Sequence, residues 1–130
     1  MPTTLVPNPA AFPPALSAAL AAAAPPNRIY VLLYATEDPA TGKSWCPDCV
    51  TADPLVAAEF AARPNATLLR VATGDRPTWR DPQNYYRTHP QINAKSVPTL
   101  IEWGKDGPIR ALVEDQVNDV QGLRKFLDHQ

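Results

Sequence analysis

Residues Ile29-Tyr30-Val31-Leu32-Leu33-Tyr34 form an unbroken run of apolar, β-branched and aromatic side chains bounded by turn formers. A strand with one wet face would alternate with polar residues. An uninterrupted run reads as a strand buried on both faces, and such strands belong to parallel sheets covered by helices on either side. The rest of the chain has to supply those layers. At 130 residues it is long enough for one domain with one hydrophobic core, burying roughly two thirds of its unfolded surface.

The flanking sequence supplies helices and strands in alternation. Thr3-Thr4-Leu5-Val6 predicts a short first strand. Asn8 is an N-cap with Pro9 at the first helical position, and an alanine-rich helix runs to Ala24, where Pro25-Pro26 stops it. After the buried strand comes a polar loop over 36–44 with Pro39 and Gly42. A helix then starts at the two cysteines and extends to about Ala62, with Leu55, Val56 and Phe60 on its buried side. A second buried strand follows over 67–71, and residues 73–80 read as an irregular loop. Asp81-Pro82 caps a short helix through Tyr85, Tyr86 and Arg87 that ends before Pro90. Tyr85 and Tyr86 cannot share a helical face, so one is expected in the core and the other at the surface. Runs at 99–103 and 109–113, joined by Gly104-Lys105-Asp106-Gly107, predict a hairpin. Asn118 and Gln121 form a capping pair for a last helix carrying Val120, Leu123, Phe126 and Leu127. The order β-α-β-α-β-α-β-β-α predicts a single α/β domain over 1–130: a central mixed, mostly parallel sheet flanked by helices, with an antiparallel hairpin at one edge.

Composition removes several classes of function. A formal charge of −1 and scattered basic residues argue against a nucleic-acid binder. The apolar stretch 15–24 has no preceding basic residue, the first being Arg28, and is too short to span a bilayer, so neither a secretory signal nor membrane association is expected. The cytoplasm is the default compartment and a monomer the default state. Cys46 and Cys49 are the only cysteines. A secreted domain stapled by disulfides would carry more of them, spaced to close longer loops, so a lone Cys-x-x-Cys pair points to redox or metal chemistry.

In Trp45-Cys46-Pro47-Asp48-Cys49 the first cysteine sits at the mouth of a helix. Unpaired backbone N–H groups and the helix dipole favour an anion there, and the thiolate is the attacking form of cysteine. Cys49 lies on the same helical face, one turn deeper. This suits a two-step reduction, in which Cys46 attacks a disulfide and Cys49 resolves the mixed disulfide. Three other readings stand beside it. A zinc site needs four ligands, and the remaining soft candidates, His89 and His129, are isolated. A structural disulfide closing so small a loop would stabilise little. Two cysteines can also simply pack as small hydrophobes.

Three stretches carry a resemblance: Gly42-Lys43-Ser44-Trp45-Cys46-Pro47-Asp48-Cys49-Val50, then Gly74-Asp75-Arg76-Pro77-Thr78-Trp79-Arg80-Asp81-Pro82-Gln83-Asn84, then Val97-Pro98-Thr99-Leu100. Together with Pro54 they resemble the thioredoxin superfamily. Within it they are similar to the cytosolic 14-kDa thioredoxin-related proteins, the thioredoxin domain-containing protein 17 family. The resemblance spans about 29–103. It implies a thioredoxin-like fold and a disulfide reductase with Cys46 as nucleophile and Cys49 as resolving thiol, cycling through a Cys46–Cys49 disulfide. It implies electrons from NADPH by way of thioredoxin reductase, with no cofactor on this chain, and small disulfides such as cystine and oxidised protein thiols as substrates. Trp45 would cover the thiol pair. Val97 and Pro98, joined by a cis bond, would present backbone to an extended substrate. Pro47 and Asp48 would tune the pair; the Asp48 charge opposes over-stabilisation of a Cys46 thiolate and places the protein toward the reducing end of the superfamily.

Two departures stand out. Thioredoxins bury an aspartate in the strand before the motif, but 31–34 holds no acid, which leaves Asp48 as a candidate for moving protons. The loop 36–44 is longer than in ordinary thioredoxins and is expected to rim the site, limiting bulky disulfides by its size and by the charges of Glu37 and Asp38. Arg76, Trp79, Asp81 and Asn84 are expected to organise their loop rather than to react. A redox-inert docking module on the same fold is the alternative from another class.

Overall fold

The computed structural model describes residues 3–24 and 27–129. The Pro25-Pro26 stop lies outside them, but the helix it was to end is present. Asn8 accepts a hydrogen bond from the Ala11 amide at 3.1 Å, opening a 3-10 turn at Pro9–Ala11 that runs into helix α1, Phe12–Ala22. Strands β1 (Thr3–Val6), β2 (Arg28–Tyr34), β3 (Ala66–Ala72), β4 (Thr99–Gly104) and β5 (Gly107–Val113) form one sheet in the order β1-β3-β2-β4-β5. β3 pairs in parallel with both β1 and β2, β4 is antiparallel to β2, and β5 is antiparallel to β4. Only β4 therefore runs against the other strands, as the mixed, mostly parallel expectation required.

The central strand explains why its sequence is uninterrupted. Ile29, Val31 and Leu33 enter one core, where Phe12, Leu69, Val71 and Trp103 pack. Tyr30 and Leu32 enter a second core with Val56, Phe60, Leu68, Leu100 and Phe126. α1 covers the first face; helices α2 (Pro47–Ala61) and α5 (Val120–Asp128) cover the second. Burying a side chain of this size contributes about 1.5–3 kcal/mol, so a polar residue anywhere in 29–34 would cost on one face or the other. Of the residues predicted for the buried side of α2, Val56 and Phe60 are buried and Leu55 is half-buried.

Four local expectations are corrected. Residues 73–80 are not irregular throughout: α3 spans Arg76–Arg80, capped by the Asp75 carboxylate, which accepts from the Thr78 amide at 3.0 Å. Five residues are too few to show apolar periodicity, so only Asp75 and Pro77 could have signalled it. Asp81 does not cap the following helix. It ends α3 and accepts from the Gln83 amide, while Asn84 caps α4, Tyr85–Thr88. The position needs an amide: Asn84 also donates to the carbonyls of Thr73 and Thr78, both at 3.0 Å, which a carboxylate cannot do. Asn118 and Gln121 do not cap α5. Asp119 holds the N-cap position, and Asn118 donates to the Asp48 carbonyl at 3.3 Å, tying α5 to the first turn of α2. Tyr86 is fully buried, but Tyr85 is not the surface residue expected: it is half-buried and packs on the same Phe12 ring as Tyr86.

Candidate active site

Cys46 is the N-cap residue of α2, with extended backbone (φ −98°, ψ 112°) and Pro47 in the first turn. Its sulfur thus stands at the helix mouth, where the Cys49 N–H is shared between Cys46 Sγ at 3.2 Å and the Cys46 carbonyl at 3.0 Å. The Cys46 thiol in turn donates to the Val97 carbonyl at 3.7 Å, and its own amide donates to Ser44 Oγ at 3.2 Å. Both cysteines are free thiols here. Cys49 is 3% exposed and accepts from the Ala35 amide at 3.5 Å. Burial pushes its pKa far above the ordinary thiol value, and the neighbouring Cys46 thiol raises it further.

Val97–Pro98 is a cis peptide bond, as the resemblance implied. The Val97 carbonyl faces Cys46, whereas the Pro98 carbonyl already accepts from the Glu114 amide at 2.7 Å. Trp45 is half-buried beside the pair. Its indole Nε1–H donates to the Gly74 carbonyl at 3.2 Å, and the Arg76 guanidinium lies 5.0 Å from the ring centroid while donating to the Trp45 carbonyl at 3.4 Å. Asp48 is exposed in the first turn of α2.

The second of the three stretches, 74–84, therefore reaches the site through structure, without a reacting group of its own. Gly74 is its hub, because the same carbonyl that holds Trp45 also accepts from the Thr36 amide at 3.1 Å, and the Gly74 amide donates to Thr36 Oγ1 at 2.9 Å. Arg87 closes the stretch from below, donating to the Trp79 carbonyl at 2.6 Å and stacking 4.0 Å from the Trp79 ring centroid.

The loop 36–44 folds on itself through a Glu37–Ser44 bridge and turns at Gly42 with φ +72°. It meets the site on the side of Cys49. A cavity of about 120 Å³ is lined there by Cys49, Pro98, Tyr34, Arg70, Glu37 and Asp53. Arg70 stacks 4.5 Å from the Tyr34 ring centroid and bridges Asp53 at 3.0 Å and Glu37 at 3.6 Å. Sequence reading placed Glu37 on the rim of the site but missed Ser44, Gly74, Asp53 and Arg70. Gly74 and Ser44 lie inside the matched stretches, but nothing in the linear sequence marks Arg70 as sharing a cavity with Cys49. Among the described residues no group of three or more His, Cys, Asp or Glu side chains is placed to hold a metal, and no helix is long and apolar enough to cross a membrane.

Known proteins resemble this chain in sequence and in fold. A family model for the thioredoxin domain of thioredoxin domain-containing protein 17-like proteins matches residues 16–129. The thioredoxin-like protein Clot of Arabidopsis thaliana is 40% identical over 87 residues, covering 66% of this chain and 64% of that protein. Thioredoxin domain-containing protein 17 of Danio rerio is 41% identical over 76 residues, 58% of each chain. The matches thus span rather less than two thirds of these relatives' own lengths. Among solved structures, oxidised thioredoxin O1 of Arabidopsis thaliana superposes with a TM-score of 0.65 over 98% of this chain and 96% of that one, at 20% identity, which speaks for the fold. The chain belongs to the thioredoxin domain-containing protein 17-like family and has its thioredoxin fold.

Proposed function

We propose that the protein is a dithiol disulfide reductase with Cys46 as nucleophile and Cys49 as resolving thiol. The observation that carries this is the Cys49 N–H aimed at Cys46 Sγ at the head of α2, with the Cys49 thiol buried behind it. A thiolate at Cys46 is met by an N–H donor and the positive end of the helix. It attacks one sulfur of R–S–S–R, forming Cys46–S–S–R and expelling RS⁻. Cys49, after losing its proton, attacks Cys46 Sγ; the Cys46–Cys49 disulfide forms and the second RS⁻ leaves. The two protons of the dithiol end on two RSH, and its two electrons reduce the substrate.

An extended substrate pairs on this reading with the Val97 carbonyl, which loses its Cys46 S–H donor when the thiol ionises, whereas that of Pro98 stays bonded to the Glu114 amide. Asp48 is exposed to solvent, while Glu37 and Asp53 line a cavity together with Cys49, which favours that cavity as the path for the proton leaving Cys49. The substrates on this reading are small disulfides such as cystine and oxidised protein thiols in the cytoplasm, with thioredoxin reductase and NADPH returning the electrons. The test is NADPH oxidation with thioredoxin reductase and cystine. Wild-type protein turns over, Cys46→Ser does not, and Cys49→Ser stalls as a mixed disulfide visible by mass. Turnover equal to the reductase-only blank in all three would overturn the reading.

A further inference from the structure

An open groove of about 350 Å³ starts at Cys46 and runs between α3, α4 and the segment before Pro98. Four of its lining residues are cations, Arg76, Arg80, Arg87 and Lys95, against the single carboxylate of Glu114. Among the described residues none of the four makes an ion pair, whereas Arg63, Arg70, Arg110 and Arg124 elsewhere in the molecule all do. The nearest acids of α3 are occupied with backbone: Asp75 caps Thr78, and Asp81 accepts from Gln83. Two of the cations are also held in place, Arg76 on Trp45 and Arg87 on Trp79. The protein as a whole carries a charge of −1, so this positive field is local to the nucleophile and not a by-product of a basic chain.

We propose that this groove is the subsite for the part of the substrate flanking the attacked sulfur, and that it selects disulfides bearing carboxylates close to the S–S bond. Bringing a thiolate and an anionic disulfide together is a like-charge encounter that normally slows exchange. Unpaired guanidinium and ammonium groups lining the approach offset that repulsion and concentrate anions beside Cys46. A cationic disulfide meets the reverse. The proposal rests on the reductase reading and deepens it by assigning the substrate's charge.

The experiment is single-turnover oxidation of pre-reduced protein, followed by tryptophan fluorescence, with three disulfides of similar size: dithiodipropionate (dianion), hydroxyethyl disulfide (neutral) and cystamine (dication). The dianion is expected to react about tenfold faster than the dication relative to their rates with a free thiol. That ratio should shrink as ionic strength rises from about 0.02 M to about 0.5 M, since the Debye length then falls from roughly 20 Å to a few ångströms. Arg80→Glu/Lys95→Glu is expected to remove or invert the preference. Lys105→Glu/Lys125→Glu, with the same change in net charge on other elements, is expected to keep it. Cys46-dependent oxidation by all three disulfides with no charge preference, or the same loss of preference in both double variants, would overturn the proposal and leave the reductase reading intact. No Cys46-dependent oxidation by any of them would instead overturn the reductase reading.

Discussion

Gly74→Ala tests whether the second motif stretch is held to the active site by one backbone position. Gly74 has φ +117°, a conformation that side-chain-bearing residues rarely adopt, at a cost of about 1–3 kcal/mol. A methyl group there would lie 2.6 Å from Thr78 Cγ2 and 2.8 Å from Thr78 Cβ. Carbon atoms in contact settle about 3.5–4.0 Å apart, and Thr78 Cβ is fixed to the α3 backbone, so the helix or the turn must shift. Overpacking of this kind costs about 1–3 kcal/mol, giving a total of about 2–6 kcal/mol. Urea unfolding followed by circular dichroism measures it. Thr78→Gly removes both clashing atoms, so the double variant should recover about 1–3 kcal/mol of coupling and leave the backbone part. Because the Gly74 carbonyl holds Trp45 Nε1 at 3.2 Å, the Trp45 indole N–H resonance should move in Gly74→Ala while that of Trp103, buried on β4, stays. A Gly74→Ala protein within about 0.5 kcal/mol of wild type, the range of an ordinary surface change, would refute the argument.

Two further outcomes follow from the same geometry. Asn84→Ala removes three hydrogen bonds at a buried cap and should cost about 2–4 kcal/mol in urea midpoint analysis; Asn84→Asp, which keeps the cap to Tyr86 but turns a carboxylate toward two carbonyls, should recover little of it, and full recovery would mean that the donated bonds contribute nothing. The Cys49 thiol has its folded pKa raised by burial, so the folded protein keeps a proton that the unfolded chain releases above about 8.5. Its contribution is therefore complete below that pH and is lost above it at up to about 1.4 kcal/mol per pH unit. Tyr30, Tyr34 and Tyr86 are raised in the same direction and destabilise near and above about 10. Reduced wild type should hence lose stability earlier on the alkaline side than Cys49→Ser, and parallel curves for the two would contradict the assigned burial.

Much of the fold was legible because its central element is unambiguous. A strand that is apolar at every position has to lie between two layers, and Ile29 through Tyr34 do. The cysteine pair was legible for a similar reason: Pro47 at the first turn and Asp48 beside it are what a helix start contains, so the position of Cys46 over the helix mouth follows from local rules. The short segments 73–88 were harder. α3 and α4 have too few residues for periodicity, and choosing Asn84 over Asp81 as the cap depends on two carbonyls, Thr73 and Thr78, that only the tertiary structure brings to it. The cavity beside Cys49 was illegible for the same reason, since Glu37, Asp53 and Arg70 come from a loop, a helix and a strand.

These two less legible regions give the site opposite electrostatic sides. Beside Cys49, the Arg70 guanidinium is shared by Asp53 and Glu37, leaving the resolving thiol in a buried setting that keeps it protonated. Beside Cys46, four cations line the groove and make no ion pair among the described residues. An incoming anion is therefore drawn to the nucleophile and not to the sulfur that has to wait. The loop 36–44 reinforces the division, because Glu37 and its neighbours close the Cys49 side while leaving the groove at Cys46 open. On the reductase reading, that loop lies on the proton side of the reaction, and selection of substrate by charge falls to the residues of α3, α4 and Lys95 on the other.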